Sequence, residues 1–211
     1  DHPATIERLD EISKEADNVP AKLMAKKPTT KPLISARSSA ETTVMLKSFA
    51  YAIKALADPL APNAYDNAKK SGTGVSQRHA YSAIAIYKTQ LAGVLNGTLK
   101  DSSNILRGLD ANINSEPDRA WATYLEKANF LARTGNLAKA KATMDDGFTY
   151  FNNAGDVWPE AILFYGQYES WDKAKQLASV CSDKYPALAS ACKTAARTPA
   201  EKAEMDRRAQ E

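Results

Sequence analysis

Large apolar side chains recur every three or four residues along most of this chain, and no segment alternates Val, Ile or Thr with polar residues between hairpin turns. The expectation is an all-α protein. Ile6, Leu9 and Ile12 mark a short amphipathic helix over Ala4–Ala16. Pro20, Pro28 and Pro32, with Thr29 and Thr30 among them, then disfavour helix and make 18–35 an extended connector. Met45, Leu46, Phe49, Ile53 and Leu56 form one stripe of a longer helix from Ser39 to Ala57, which ends at Asp58-Pro59.

Pro59, Pro62, Asn63 and Ser71-Gly72-Thr73-Gly74 punctuate the next stretch and leave room for a turn or two of helix at Tyr65–Lys69. Tyr81, Ile84, Tyr87, Leu91 and Leu95 then predict a helix from Ser76 to Leu95, stopped by Asn96-Gly97. Asp101 or Ser102 suits the cap of a further helix carrying Ile105, Leu106 and Leu109, and the run from Asn114 to Pro117 breaks the chain again.

Beyond Pro117 a longer period appears. Gly135-Asn136-Leu137-Ala138-Lys139-Ala140-Lys141 aligns with Glu169-Ser170-Trp171-Asp172-Lys173-Ala174-Lys175, at an offset of 34 residues. The same offset pairs Tyr124 with Trp158, Ala128 with Ile162, Leu131 with Tyr165, Met144 with Ala178, and Gly147 with Cys181. Small residues suit the close crossing of two antiparallel helices and bulky ones fill the space to the next pair. Gly135 falls at the turn inside the first pair, and Pro186 follows the second.

In these residues the C-terminal half resembles the tetratricopeptide repeat family. Lys127, Ile162 and Glu169 depart from the family pattern, which calls for Leu, a small residue and the turn glycine. The resemblance implies antiparallel helical hairpins stacked as a right-handed superhelix over residues 76–211, behind an N-terminal helical extension with a Pro-rich linker at 1–75. It also implies a partner-binding groove, lined here by Asn129, Ala132, Arg133, Leu163, Gly166 and Gln167. Thr198-Pro199-Ala200-Glu201 has the form of a capping box and predicts a terminal capping helix.

Charge changes this picture little. The net charge of +3 comes from 28 basic and 25 acidic side chains dispersed along the chain, which is not the one-sided excess of a nucleic-acid binder. The local run Lys22, Lys26, Lys27, Lys31 and Arg37 is interrupted by Pro28 and Pro32 and reads as a solvated linker. No stretch is apolar enough to span a bilayer, so direct membrane insertion is not expected.

Cys181 and Cys192 flank Pro186. If that proline turns a hairpin, the two sulfurs lie at similar heights on facing helices and a disulfide fits; two small buried thiols fit equally well. Few residues suggest catalysis. His2 and His79 are the only histidines and both read as surface residues. No His, Cys and carboxylate cluster has the spacing of a metal site, so neither metal nor cofactor is expected. Asp145 and Asp146 are adjacent and read as solvated. Gly72-Thr73-Gly74 lacks the Lys-Ser or third glycine of phosphate-binding loops, and Asn96-Gly97-Thr98 spells a glycosylation sequon that a helix stop also explains.

The function expected is that of a non-enzymatic protein-interaction scaffold or assembly factor, taking a partner peptide or helix in its groove. The alternative is a structural subunit of a larger complex that docks through its N-terminal extension. The Ala-rich composition and the start at Asp1 lean toward an exported, periplasmic bacterial setting.

Overall fold

The computed structural model describes residues 39–72, 79–100, 103–116 and 118–209, with side chains from residue 43. Among the described residues there are ten α-helices and no strand, in keeping with the helical spacing of the sequence. No described helix is long and apolar enough to cross a membrane. The helix expected at Ala4–Ala16, the connector at 18–35, the basic run from Lys22 to Arg37 and the Asp101 or Ser102 cap lie outside the described residues. The chain divides into two compact units, one reaching Thr123 and one running from Tyr124 to Glu211. The boundary expected at 75/76 falls inside the first unit, because the helix that follows it packs on both helices that precede it.

The first unit contains α1 (Ser39–Ala57), α2 (Ala64–Ser71), α3 (Ala80–Leu95) and α4 (Arg107–Ile113). Helices α1, α2 and α3 contact one another, and α4 packs on α3. Ala52, Ala55, Ala68 and Ala85 meet at the centre, with Leu56 and Ile86 packed around them. Side chains this small let helix axes approach closely, so the buried face of α3 carries Ser82, Ala83, Ala85, Thr89, Ala92 and Gly93 beside one large residue, Tyr87. The large-residue stripes therefore misplace part of the core. Leu46, Tyr81 and Leu95 are exposed at 48%, 53% and 78%.

Helix α3 stops where the sequence places its stop. Gly97 takes φ +77°, a left-handed conformation open to glycine, and the Asn96 side chain accepts from the Thr98 amide at 3.0 Å and hydroxyl at 2.7 Å.

The second unit holds most of α5 (Trp121–Arg133), then α6 (Leu137–Phe151), α7 (Val157–Tyr168) and α8 (Trp171–Lys184). A 3-10 turn at Pro186–Leu188 leads to α9 (Ala189–Ala195) and α10 (Pro199–Arg208). Gly135, at φ +83°, makes the α5–α6 turn, where the Asn136 amide donates to the Leu131 carbonyl at 2.8 Å. Phe148 of α6 meets Trp158 edge-on at 4.9 Å and Tyr165 at 6.2 Å, so α7 is keyed to α6 through aromatic edges. The Trp158 indole donates to the Asn152 carbonyl and the Tyr185 hydroxyl to the Asn153 carbonyl, tying the α6–α7 connection to the end of α8.

Of the two cysteine readings, the disulfide holds. Cys181 of α8 and Cys192 of α9 are bonded, with their Cα atoms 6.4 Å apart and both residues fully buried.

Candidate interaction surface

Equivalent places in two hairpins should be equally hidden. Six of the pairs at the 34-residue offset, Tyr124/Trp158, Ala128/Ile162, Leu131/Tyr165, Ala140/Ala174, Met144/Ala178 and Gly147/Cys181, are buried at both members, whereas the turn pair Gly135/Glu169 is exposed at both. Tyr124 and Trp158 are 1% and 5% exposed, Ala128 and Ile162 both 0%, Ala140 and Ala174 both 0%, and Gly147 and Cys181 are buried as well. Within the first hairpin the Tyr124 ring lies so close over Gly147 that a Cβ there would sit 2.6 Å from it. Within the second, the Trp171 ring covers Gly166, where a Cβ would come within 2.4 Å. Each hairpin thus closes by a ring over a glycine, although at different levels.

The residues expected to line a groove fall on the first helix of each hairpin. Asn129, Ala132 and Arg133 share one face of α5; Leu163, Gly166 and Gln167 share the equivalent face of α7, 34 residues on. Arg133 and Gln167 are exposed, Asn129 and Ala132 half-buried. Leu163 is 41% exposed on a helix that buries Val157, Trp158, Ile162, Phe164 and Tyr165 and half-buries Tyr168. Gly166 is the exception. It lies buried under Trp171 and serves the close approach of α7 and α8.

One acid expected to be merely solvated has a partner. Asp145 accepts from the Tyr165 hydroxyl at 2.7 Å, and the Lys173 ammonium sits 3.9 Å above the Tyr165 ring. Burial, and then this bond to Asp145, push the Tyr165 phenol upward from its ordinary value.

A feature the repeat pattern does not signal lies further on. Helix α10 has no buried residue, and between it and α8 and α9 opens a cleft of about 620 Å³. Ala178 and Ala196 lie in the cleft beside Met205, which is 44% exposed. Glu201 pairs with Lys175 and Glu204 with Arg208, each at 2.8 Å. The capping box of Thr198 and Glu201 fixes the near end of α10, as the sequence predicts. The Lys175 ammonium and the Thr198 amide and hydroxyl hold the Glu201 carboxyl down to about 2.

His79 requires a correction. It is not a surface residue but 8% exposed, and its ring caps α3 by accepting the Ser82 amide on Nδ1 at 3.1 Å. Its Nε2 lies 2.5 Å from Ser48 Oγ, and Ser48 also reaches the Ser71 carbonyl. A Ser–His pair invites a nucleophile reading, but the hydrogen-bond directions oppose it. An amide can only donate and a carbonyl only accept. Nδ1 therefore bears the lone pair, Nε2 carries the proton, and Ser48 already spends its own proton on Ser71. His79 donates to Ser48 instead of drawing a proton from it, so this arrangement does not activate the hydroxyl. The signal sequence reasoning missed is local: a histidine just ahead of Ser82 and an Ala-rich helix, in the place of an N-cap.

Among the described residues no group of three or more His, Cys, Asp or Glu is placed to hold a metal ion. No known protein family, curated protein or solved structure matches this chain.

Proposed function

We propose that the second unit is a protein-interaction module of tetratricopeptide-like type, binding a peptide or helix of a partner along the face shared by α5 and α7. The observation that carries this reading is the double recurrence at 34 residues. Six pairs inside the hairpins are buried at both members, while on the first helices Arg133, Leu163 and Gln167 remain exposed at equivalent places and Asn129 is half open. A helix surface that repeats both its hidden and its open positions presents the same face twice, which is how stacked hairpins build an extended binding strip. Leu163 supplies an apolar contact. Asn129, Arg133 and Gln167 supply the donors that hold backbone carbonyls or a carboxylate.

Affinity capture under matched salt tests the reading by comparing the intact chain with an Asn129→Ala/Arg133→Ala/Gln167→Ala variant. These three side chains are at least partly open, so the variant is expected to keep its helix content by circular dichroism while losing the partners captured by the intact chain. Partners retained in full by a folded variant overturn the assignment of binding to this face.

A further inference from the structure

The polar cluster at the heart of the first unit has room for one histidine proton and no more. Ser48, Ser71 and Ser82 are 2%, 0% and 0% exposed, and His79 joins them while stacking on Phe49 at 4.5 Å and 24°. Ser71 Oγ lies 3.0 Å from Ser82 Oγ and donates to the Ala68 carbonyl at 2.6 Å. The cluster thereby joins α1, α2 and α3. A second proton on His79 has to enter at Nδ1, where the Ser82 N–H already points in to donate. It also places a full positive charge at the N-terminus of α3, where the unpaired amides carry a partial charge of the same sign.

We propose that His79 is an acid-sensitive latch: the neutral ring clasps α1, α2 and α3 together, and protonation expels the Ser82 amide from its cap and loosens α3 from its neighbours. The groups packed against the ring do little to resist this. Helix α1 contributes Ser48 and Phe49, both uncharged, with Lys47 next to them. Helix α2 contributes Ser71 through Ser48; nearby Lys69 pairs with Asp66 at 2.8 Å, and the Lys70 ammonium lies 5.5 Å from the Tyr51 ring centroid. Helix α3 contributes Ser82, and Tyr81, which meets Phe49 edge-on at 5.6 Å. Asp118 is the acid whose field favours the charged ring, and it only partly offsets the burial that holds His79 below the ordinary histidine range.

The sign follows directly. Because the native state binds the proton less readily than the unfolded chain, the clasp is fully present above the ordinary histidine value of 6.5 and is lost as pH falls below it toward the native value. His2 is the only other histidine, so a His2→Gln background leaves a single imidazole to observe.

The test is nitrogen-15 NMR of the full chain in that background, between about pH 7.5 and pH 5.5, a window that brackets an ordinary histidine. At the upper end the His79 ring is expected to show a lone-pair Nδ1 and a protonated Nε2. On acidification the Ser82 amide is expected to lose several-fold, at most about tenfold, of its exchange protection after correction for intrinsic rates, while amides of α6 and α8 keep theirs. His79→Asn retains a capping acceptor without a titrating ring, and its Ser82 protection is expected to stay flat. A proton on Nδ1 at neutral pH, a His79 titration at the ordinary value, or an equal loss in wild type and His79→Asn overturns the latch. Should His79→Asn fail to fold, the tautomer and titration of the wild-type ring decide the matter alone.

Discussion

Ala52, Ala55, Ala68 and Ala85 occupy the centre of the first unit, whereas Tyr124, Trp158, Phe164 and Tyr165 occupy buried positions of the second. Both solutions bring helices together, but they spread the stabilisation differently. In the second unit single rings fill spaces shaped for them, as Tyr124 does against Gly147 and against Phe151 at 6.1 Å. In the first unit no side chain among the four alanines is large enough to matter alone. Close backbone approach and the Ser48, Ser71, His79 and Ser82 hydrogen bonds do the joining.

This contrast is broken or sharpened most forcefully at Tyr124, which is 1% exposed. Tyr124→Ala is expected to destabilise the second unit by about 3–5 kcal/mol, the range for deleting a buried ring whose surroundings relax only in part. Amide exchange resolved by helix is the readout, with protection falling in α6 and α7 and holding in α1 and α2. The opposite change belongs to the first unit. Ala55 is 0% exposed among Ala52, Ala68 and Ala85, and Ala55→Leu is expected to cost about 1–3 kcal/mol by overpacking. If Tyr124→Ala proves nearly neutral while Ala55→Leu is severe, the comparison is the wrong way round.

The next effect separates covalent from packing stabilisation. Cys181 and Cys192 are 11 residues apart, a short loop, and removing the bond by Cys181→Ala/Cys192→Ala is expected to cost about 3 kcal/mol on the loop-entropy account. Urea midpoints with and without a reductant check this. The reductant should lower the wild-type midpoint and leave that of the double variant unchanged. The first unit contains no cysteine and its amide protection should not respond.

The same contrast explains how much of the molecule could be read before its structure. A ring that must lie over a glycine forces two sequence positions to agree, so the Tyr124–Gly147 packing belongs to a pattern visible at 34-residue spacing. The helix stops at Gly97 and Gly135 and the capping box at Thr198 were legible for the same reason, since each demands particular residue types. An alanine interface makes no such demand, because alanine also suits exposed helix faces, and the large stripe residues Leu46, Tyr81 and Leu95 lie exposed while alanines form the centre. His79 was misplaced on the surface because its burial depends on Ser48 and Ser71, which are 31 and 8 residues away. Of the proposed binding face, Asn129, Arg133, Leu163 and Gln167 were accessible to period reasoning; the burial of Gly166 depended on where the Trp171 ring falls.

The smallest expected effect lies at the end of the second unit, where α10 has no buried residue and is attached by polar contacts in place of rings. Thr198 accepts from the Glu201 amide at 3.2 Å, and Glu201 returns a bond from the Thr198 amide at 2.8 Å. Thr198→Ala removes the hydroxyl half of this box and is expected to lower the local stability of α10 by about 1 kcal/mol. Because Glu201 is held at about 2, against 4.5 for an ordinary glutamate, its share of the attachment is complete above 4.5 and is lost as pH falls through about 2. Lys175, whose ammonium lies 2.8 Å from Glu201, is the largest cause of that depression. Lys175→Met should therefore move the acid loss of α10 protection to higher pH while leaving the hydroxyl cap in place. An unchanged acid profile in Lys175→Met would assign the attachment of α10 to the capping box alone, and the salt bridge across the cleft would then contribute nothing measurable.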